Sequence, residues 1–332
     1  MATVIHVGLR KTGTTTLQEH VFPAIPDCVA ATPESHPFRE LSLNLRDAGD
    51  ADYFEDTWRG FLADLQRRAS TVILSREGWS APRDPWTGQE TQARTAERLH
   101  ALAAEAKILV VVRHQGTMLR SAYNQYVKTG GDARFDDWVA TRFDFDFLRY
   151  DTIVKCYQDL FGRERVKVMA YENLATDPHT FLGELLGFVQ PGAIAQQSDV
   201  VIPFENRSLG PLSRWTFRHT NRLFRRREHN PSPGVKLASR VRFVQQPMRR
   251  FESMLLPRVK RDLTKRDRAV IESLLPTFEE GNATLEGLCG LSLRELGYPL
   301  PDHARQETAA RLGNPYSESA IPESARHDAS PA

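Results

Sequence analysis

The chain has almost no net charge to work with. Its 332 residues carry 44 Lys and Arg against 42 Asp and Glu, a formal net charge of +2. So small an excess excludes nucleic acid as a general partner, because backbone-phosphate binding needs a strong positive field. Cysteine is scarce too. Cys28, Cys156 and Cys289 stand far apart and are odd in number. They form neither a disulfide framework nor a thiolate metal cluster, and they fit a reduced compartment. No apolar run approaches the roughly 18 residues of a spanning helix. The first strand pattern starts by residue 3 and is read as leaving no signal peptide. Internal repeats are absent. A soluble, cytoplasmic protein is expected.

What the chain does have is apolar content, 40% of residues, enough to fill the core of one large α/β domain or two small ones. Apolar, β-branched runs recur at Thr3–Val7, Thr71–Leu74, Ile108–Val112 and Val166–Met169. Helical periodicity lies between them, over Asp52–Arg68, Thr91–Ala106, Thr117–Val127, Phe147–Phe161 and Pro178–Phe188. Strands alternating with helices specify a doubly wound sheet. The expected fold is α/β, P-loop-like and three-layered, a central parallel β-sheet flanked by helices, over residues 1–300. Ligands bind such sheets at the carboxyl ends of the strands, here the loops 8–16, 75–80, 113–121 and 170–174. Residues 205–270 read as a basic helical segment inside the domain. Arg214 to Arg268 holds seventeen Lys and Arg against four acids. This stretch reads as solvated helical faces, as a surface for an anionic acceptor, or as peripheral membrane contact. The tail 301–332 is rich in Ala, Ser, Pro, Glu and Arg without apolar periodicity, and is expected to be disordered or loosely docked. The oligomeric state is not legible.

The densest chemistry is in the first eighteen residues. After the first strand come Gly8, Leu9, Arg10, Lys11, Thr12, Gly13, Thr14, Thr15 and Thr16, and Leu17-Gln18-Glu19 is expected to open a helix. Backbone amides and the positive helix end make such a loop an anion site, with Thr hydroxyls and the Lys11 charge added. A nucleotide-triphosphate loop reads G-x-x-x-x-G-K-[ST]. The Gly8–Gly13 spacing fits it, but Thr14 occupies the lysine position and Lys11 precedes the second glycine. The charge therefore meets a different part of the ligand.

A second anion site is expected where Ile108–Val112 ends in Arg113. Mg²⁺-dependent phosphotransferases place an Asp at such a strand end. An Arg there binds an anion directly, with a planar fork suited to phosphate. Ser121, eight residues on, can supply a hydroxyl. The bland alternatives are a solvated Lys11 in a plain turn and an Arg113 paired with a local carboxylate.

With both motifs in place, the chain resembles the PAPS-dependent sulfotransferases (PAPS is 3′-phosphoadenosine 5′-phosphosulfate). Arg10-Lys11-Thr12-Gly13-Thr14-Thr15 resembles their 5′-phosphosulfate loop. Arg113 followed by Ser121-Ala122-Tyr123 resembles their 3′-phosphate motif. Tyr171-Glu172-Asn173-Leu174 with Asp177-Pro178 resembles a segment after the family's fourth core strand. Phe204-Glu205-Asn206-Arg207-Ser208 resembles the N-x-S segment of bacterial members, which implies cofactor contacts from Asn206, Arg207 and Ser208. Phe278, Asn282, Leu285, Leu293 and Gly297-Tyr298-Pro299 resemble the C-terminal closing segment. Thr16 stands where cytosolic small-molecule members often carry Trp. His114-Gln115-Gly116 stands where many have Pro. Both departures are more typical of bacterial or carbohydrate-type members.

The resemblance implies metal-independent, in-line sulfuryl transfer from PAPS to a carbohydrate, glycolipid or metabolite, releasing adenosine 3′,5′-bisphosphate. Lys11 would stabilise the bridging oxygen and the 5′-phosphate. Thr12, Gly13, Thr14, Thr15 and Thr16 would complete the cradle, and Arg113 with Ser121 would hold the 3′-phosphate. Glu77, at the carboxyl edge after Thr71–Leu74, is the candidate base, with a pKa raised near Trp79. It could instead pair structurally with Arg76 or Arg10. His36 and His114 are weaker candidates, and His6 is expected to be a hydrogen-bonded core residue. Two rival readings stay open: a P-loop kinase or NTPase, and a non-catalytic nucleotide- or polyanion-binding protein on the same fold.

Overall fold

The computed structural model describes residues 1–81, 91–191, 209–224 and 264–302. Asn206, Arg207 and Ser208, most of the basic segment and nearly all of the tail lie outside the described residues. Five strands form one sheet: β1 (Ala2–Gly8), β2 (Cys28–Ala31), β3 (Thr71–Glu77), β4 (Lys107–Val112) and β5 (Val166–Ala170). Their spatial order is β2-β3-β1-β4-β5, and every pairing is parallel. The expected α/β architecture, a central parallel sheet between helical layers, is the one observed.

The β-period of two sorts side chains onto opposite faces of the sheet. Ile5, Val7, Val72, Leu74, Ile108, Val110 and Val112 face one core. That core is covered by α2 (Phe38–Asp47), α3 (Glu55–Arg68), α4 (Gln92–Leu102), α5 (Gln115–Lys128), α6 (Phe135–Arg142) and α7 (Tyr150–Phe161). Val4, Ile73, Leu109, Val111 and Met169 face the other, under the helical stretch from Thr14 to Ala24 and the pair α8 (Tyr171–Thr176) and α9 (Pro178–Val189). With Pro178 in its first turn, α9 is capped by Asp177, whose carboxylate accepts from the Thr180 amide at 3.1 Å. Further on lie α10 (Pro211–Phe224), α11 (Lys265–Leu274) and α12 (Glu279–Cys289). A capping box of Thr264 and Asp267 starts α11, and left-handed Gly290 ends α12.

Four of the five strands match the runs read from the sequence. The edge strand β2 and helix α2 were not anticipated. β3 runs to Glu77, three residues past the expected Leu74, so Glu77 is its last residue and lies opposite Gly8 in the parallel register. Helical backbone begins at α1 (Thr14–Thr16), ahead of the expected Leu17, and passes into a π-helical turn over Leu17–Val21.

From β1 the chain proceeds to the β2–β3 side, and from β4 to β5. Neighbouring strands whose connections leave in opposite directions open a crevice at their carboxyl ends. Here it lies between the loops after β1 and β4.

Candidate functional site

Two left-handed residues shape the loop after β1. Lys11 has φ +66° and Gly13 φ +85°. A Cβ on Gly13 would stand 2.8 Å from Cδ2 of Leu174 on α8, so only glycine lets the loop lie that close. Gly13 O accepts from Leu17 N at 3.0 Å, committing the chain to helix. The first amides of a helix have no carbonyl partner within it, and at this loop they are the donors available to a ligand. The Thr12 hydroxyl is turned inward and donates to Leu9 O at 2.7 Å. The Thr14 hydroxyl sits between Leu9 O, at 3.3 Å, and the Glu77 carboxylate. These two hydroxyls brace the loop from inside, whereas Thr15 is exposed and Thr16 half-buried.

Arg113 joins the second strand end to this loop. Its Nη1 donates to Lys11 O at 2.7 Å and its Nε to Thr117 Oγ1 at 3.0 Å. The guanidinium lies 4.2 Å over the Tyr171 ring, a cation–π contact. Ser121 falls one helical turn beyond Thr117 on the same side of α5. Burial lowers the pKa of Arg113, and it also lowers that of Lys11, where Glu77 opposes the shift while Arg113 and Arg10 add to it.

Glu77 is drawn the other way. Desolvation raises its pKa, against the pull of Arg10, Lys11, the Thr14 hydroxyl and Arg76. The turn after it is tied to β1, since Gly8 O accepts from Gly78 N at 3.2 Å and from the Ser80 hydroxyl at 3.1 Å. The Trp79 ring is fully buried in an aromatic cluster with Phe38 and Trp58, its Nε1 donating to Ser42 O.

The histidines have settled roles. His6 is buried, its Nδ1 2.8 Å from the Ser75 hydroxyl, and desolvation lowers its pKa to about 3. His114 is the N-cap of α5, with Nδ1 accepting from Gly116 N at 3.1 Å. Burial lowers its pKa, partly opposed by Glu172. His36 is exposed ahead of α2.

Sequence reasoning missed the clamp around this rim. Glu172 accepts from His114 N with one oxygen and from the Tyr298 hydroxyl with the other, both at 3.0 Å. Gln115 donates to Asn282 Oδ1 at 2.6 Å, and Asn282 Nδ2 reaches Pro299 O at 2.9 Å. Tyr150 donates to Arg113 O at 2.8 Å. The motif resemblance had marked Glu172, Asn282 and Tyr298, but nothing in it specified that they hold one another.

The site thus brings together Lys11, Glu77, Arg113 and the loop amides at one strand-end crevice of a parallel α/β sheet. A separate cavity of about 530 Å³ opens near Thr3, Leu62 and Lys107, at the amino ends of the strands. Among the described residues no group of three or more His, Cys, Asp or Glu side chains is placed to hold a metal, and no helix is long and apolar enough to cross a membrane. No protein-family model and no curated protein matches the chain. Among solved structures it is similar to a sulfotransferase from Alicyclobacillus acidocaldarius, at 20% identity and a TM-score of 0.45, over 67% of this chain and 93% of that one. It is also similar to the sulfotransferase domain from the curacin biosynthetic pathway, at 13% identity and a TM-score of 0.38, over 82% of this chain and 97% of that one.

Proposed function

We propose that the protein transfers a sulfuryl group from PAPS to a hydroxyl or amine of a carbohydrate, glycolipid or small metabolite. One observation carries this reading. The residue ending β4 is an arginine, and its guanidinium is hydrogen-bonded to the Lys11 carbonyl in the loop after β1. Two cationic anchors from different strand ends therefore share one framework at the switch point. That favours a nucleotide with two separated anionic groups.

The residues fit such a nucleotide. Gly13 and left-handed Lys11 open the loop backbone, and neither Lys11 nor Arg113 forms a salt bridge to a carboxylate among the described residues. When bound, PAPS supplies a sulfuryl group already activated on a phosphosulfate anhydride. Lys11 and the amides of residues 12–16 hold the 5′ end and stabilise negative charge as it develops there, a kind of preorganised donor set that is typically worth ~3–4 kcal/mol per donor. With Thr12 and Thr14 hydroxyls turned to Leu9, the hydroxyl contribution falls to Thr15 and Thr16. Arg113 and Ser121 hold the 3′-phosphate, which separates this nucleotide from ATP. Glu77, across from Gly8, takes the acceptor proton, and its raised pKa suits a base working near neutrality. Peripheral contact with anionic lipid through residues 214–268 belongs to the same proposal, on charge alone.

A thermal-shift titration with adenosine 3′,5′-bisphosphate, beside ATP with Mg²⁺, tests this. Ligand at 100 times its Kd adds about 2.7 kcal/mol of apparent stability. A clear shift with the bisphosphate, lost in Arg113→Ala, is expected. A shift with Mg-ATP alone would replace this reading with an NTPase.

A further inference from the structure

We infer that the tip of β3 carries a second oxyanion site, built by Arg76 with Arg39 and Arg46 of α2, that binds a carboxylate, phosphate or sulfate borne by the acceptor. Its role as an acceptor site rests on the sulfuryl-transfer reading; its anion chemistry does not.

Side-chain alternation puts Arg76 on the same face as Val72 and Leu74, the face that α2 covers. Arg39 and Arg46 are seven residues apart on α2, so two turns bring both to one side of that helix. The Arg46 guanidinium is drawn in against the turn after Glu77, its Nη1 3.0 Å from where a Cβ on Gly78 would stand. Its side chain is 11% exposed and paired with Asp47.

Arg76 differs from Arg98 of α4. Nearby Arg98 is satisfied, donating to Leu45 O and Ala48 O at 2.9 Å and pairing with Asp50 at 2.8 Å. Arg94 donates to Arg46 O at 3.2 Å through Nη2, while its buried Nε has no partner among the described residues. Arg76 is half-buried, yet it makes no hydrogen bond or ion pair among the described residues. Burial and the like charges of Arg46 and Arg39 disfavour its charged form, and Asp47 and Glu77 only partly offset them. A half-buried guanidinium held among other cations is favoured by an anion that completes the group. Its planar fork, with Arg39 exposed beside it, matches a two-oxygen face of carboxylate, phosphate or sulfate.

The placement gives the anion a purpose. Glu77 is the next residue and points to the opposite face, toward the loop after β1. An acceptor lying across the tip of β3 would set its anion on Arg76 and present a hydroxyl to Glu77 and Lys11. The site is therefore specific for acidic acceptors, such as uronic acids or sugars already carrying phosphate or sulfate, over neutral ones.

The test is calorimetric binding to the full chain saturated with adenosine 3′,5′-bisphosphate, so no turnover is needed. The probes are p-nitrophenyl β-D-glucuronide, the 6-phosphate and 6-sulfate of p-nitrophenyl β-D-glucoside, and the neutral glucoside. At least one anionic probe should bind about tenfold or more tightly than the neutral one, and the ranking of the three separates carboxylate from phosphate or sulfate. Arg76→Gln should reduce that preference to within about twofold while bisphosphate affinity stays unchanged. Arg39→Gln, at an exposed helix position, should reduce it partly without endangering the fold. Equal binding of neutral and anionic probes, binding of none, or a preference that survives Arg76→Gln would overturn the inference. Failure of the bisphosphate to bind would instead sink the sulfuryl-transfer reading, and anion binding by the chain alone would then still report on Arg76.

Discussion

Glu77 answers to two opposing demands. Burial disfavours its charge, while Arg10, Lys11, the Thr14 hydroxyl and Arg76 favour it, and burial wins. A carboxylate whose folded pKa lies above its unfolded value contributes stability below the unfolded pKa and loses it as pH rises through the folded one. At neutral pH the Glu77 charge therefore costs stability. Glu77→Gln should cut kcat by ~10²–10⁴ yet leave the melting temperature at pH 7 unchanged or higher. A fall in melting temperature would mean that the carboxylate is a structural ion-pair partner. In the wild type, kcat/KM should rise with pH through a limb above the ordinary 4.5 of a glutamate. It should fall again through a limb below the ordinary 10.5 of a lysine, set by Lys11. The alkaline limb alone should disappear in Lys11→Ala, along with nearly all turnover. At this scale the sequence was legible for residue type and poorly legible for direction. The Thr12 hydroxyl points inward to Leu9 O beside a left-handed Lys11, and neither feature is written in the residue types. The Trp79 ring was expected beside Glu77; it joins Phe38 and Trp58, from two helices not adjacent to it in sequence.

Elements position the loop by close approach. The loop after β1 leans on α8, where Leu174 and Tyr171 fill the space over Gly13. Gly13→Ala meets two separate costs. An L-residue in left-handed backbone loses ~1–2 kcal/mol, and its methyl group would press on Leu174 at 2.8 Å. In a double-mutant cycle by urea unfolding, Leu174→Ala should relieve the second cost and not the first. A coupling of ~0.5 kcal/mol or more between the two sites is expected, as for residues in contact. Strict additivity would mean that the loop moves away and that the contact does not hold it. The elements themselves were largely written in the sequence. Lys107–Val112 is buried almost throughout, and its uninterrupted β-branched run says so. β2 was not readable, because Cys28-Val29-Ala30-Ala31 is four residues long, lies at the sheet edge, and alternates in no visible way. β3 was read short because Ser75, Arg76 and Glu77 are polar. They are still strand, since their neighbours His6, Val7 and Gly8 pair with them in register.

Across the whole molecule, the site is braced by residues 279–300. α12 and the segment to Pro299, joined by Asn282–Pro299, reach back 167 residues to the start of α5 through Gln115–Asn282 and 126 residues to α8 through Tyr298–Glu172, and Glu172 also holds His114. No periodicity encodes such contacts; they exist only once β4 and α12 are folded against α7. The same bonds set the loop that carries Arg113, whose own carbonyl is held by Tyr150. Asn282→Ala leaves the buried Gln115 amide unsatisfied and frees the Pro299 carbonyl. A buried group left unpaired costs ~1–3 kcal/mol, so a loss of about 2–4 kcal/mol is expected by denaturant unfolding. A second consequence separates a structural strap from a functional one. If the C-terminal segment fixes the loop after β4, a ligand held by Arg113 must stabilise that segment in return, because linkage is reciprocal. Hydrogen exchange over residues 279–300 should therefore slow when adenosine 3′,5′-bisphosphate is added, and Asn282→Ala should weaken bisphosphate binding as well as the fold. Binding that leaves exchange over 279–300 untouched would confine the segment to stability. Exchange that slows together with binding would make residues 279–300 part of the nucleotide site.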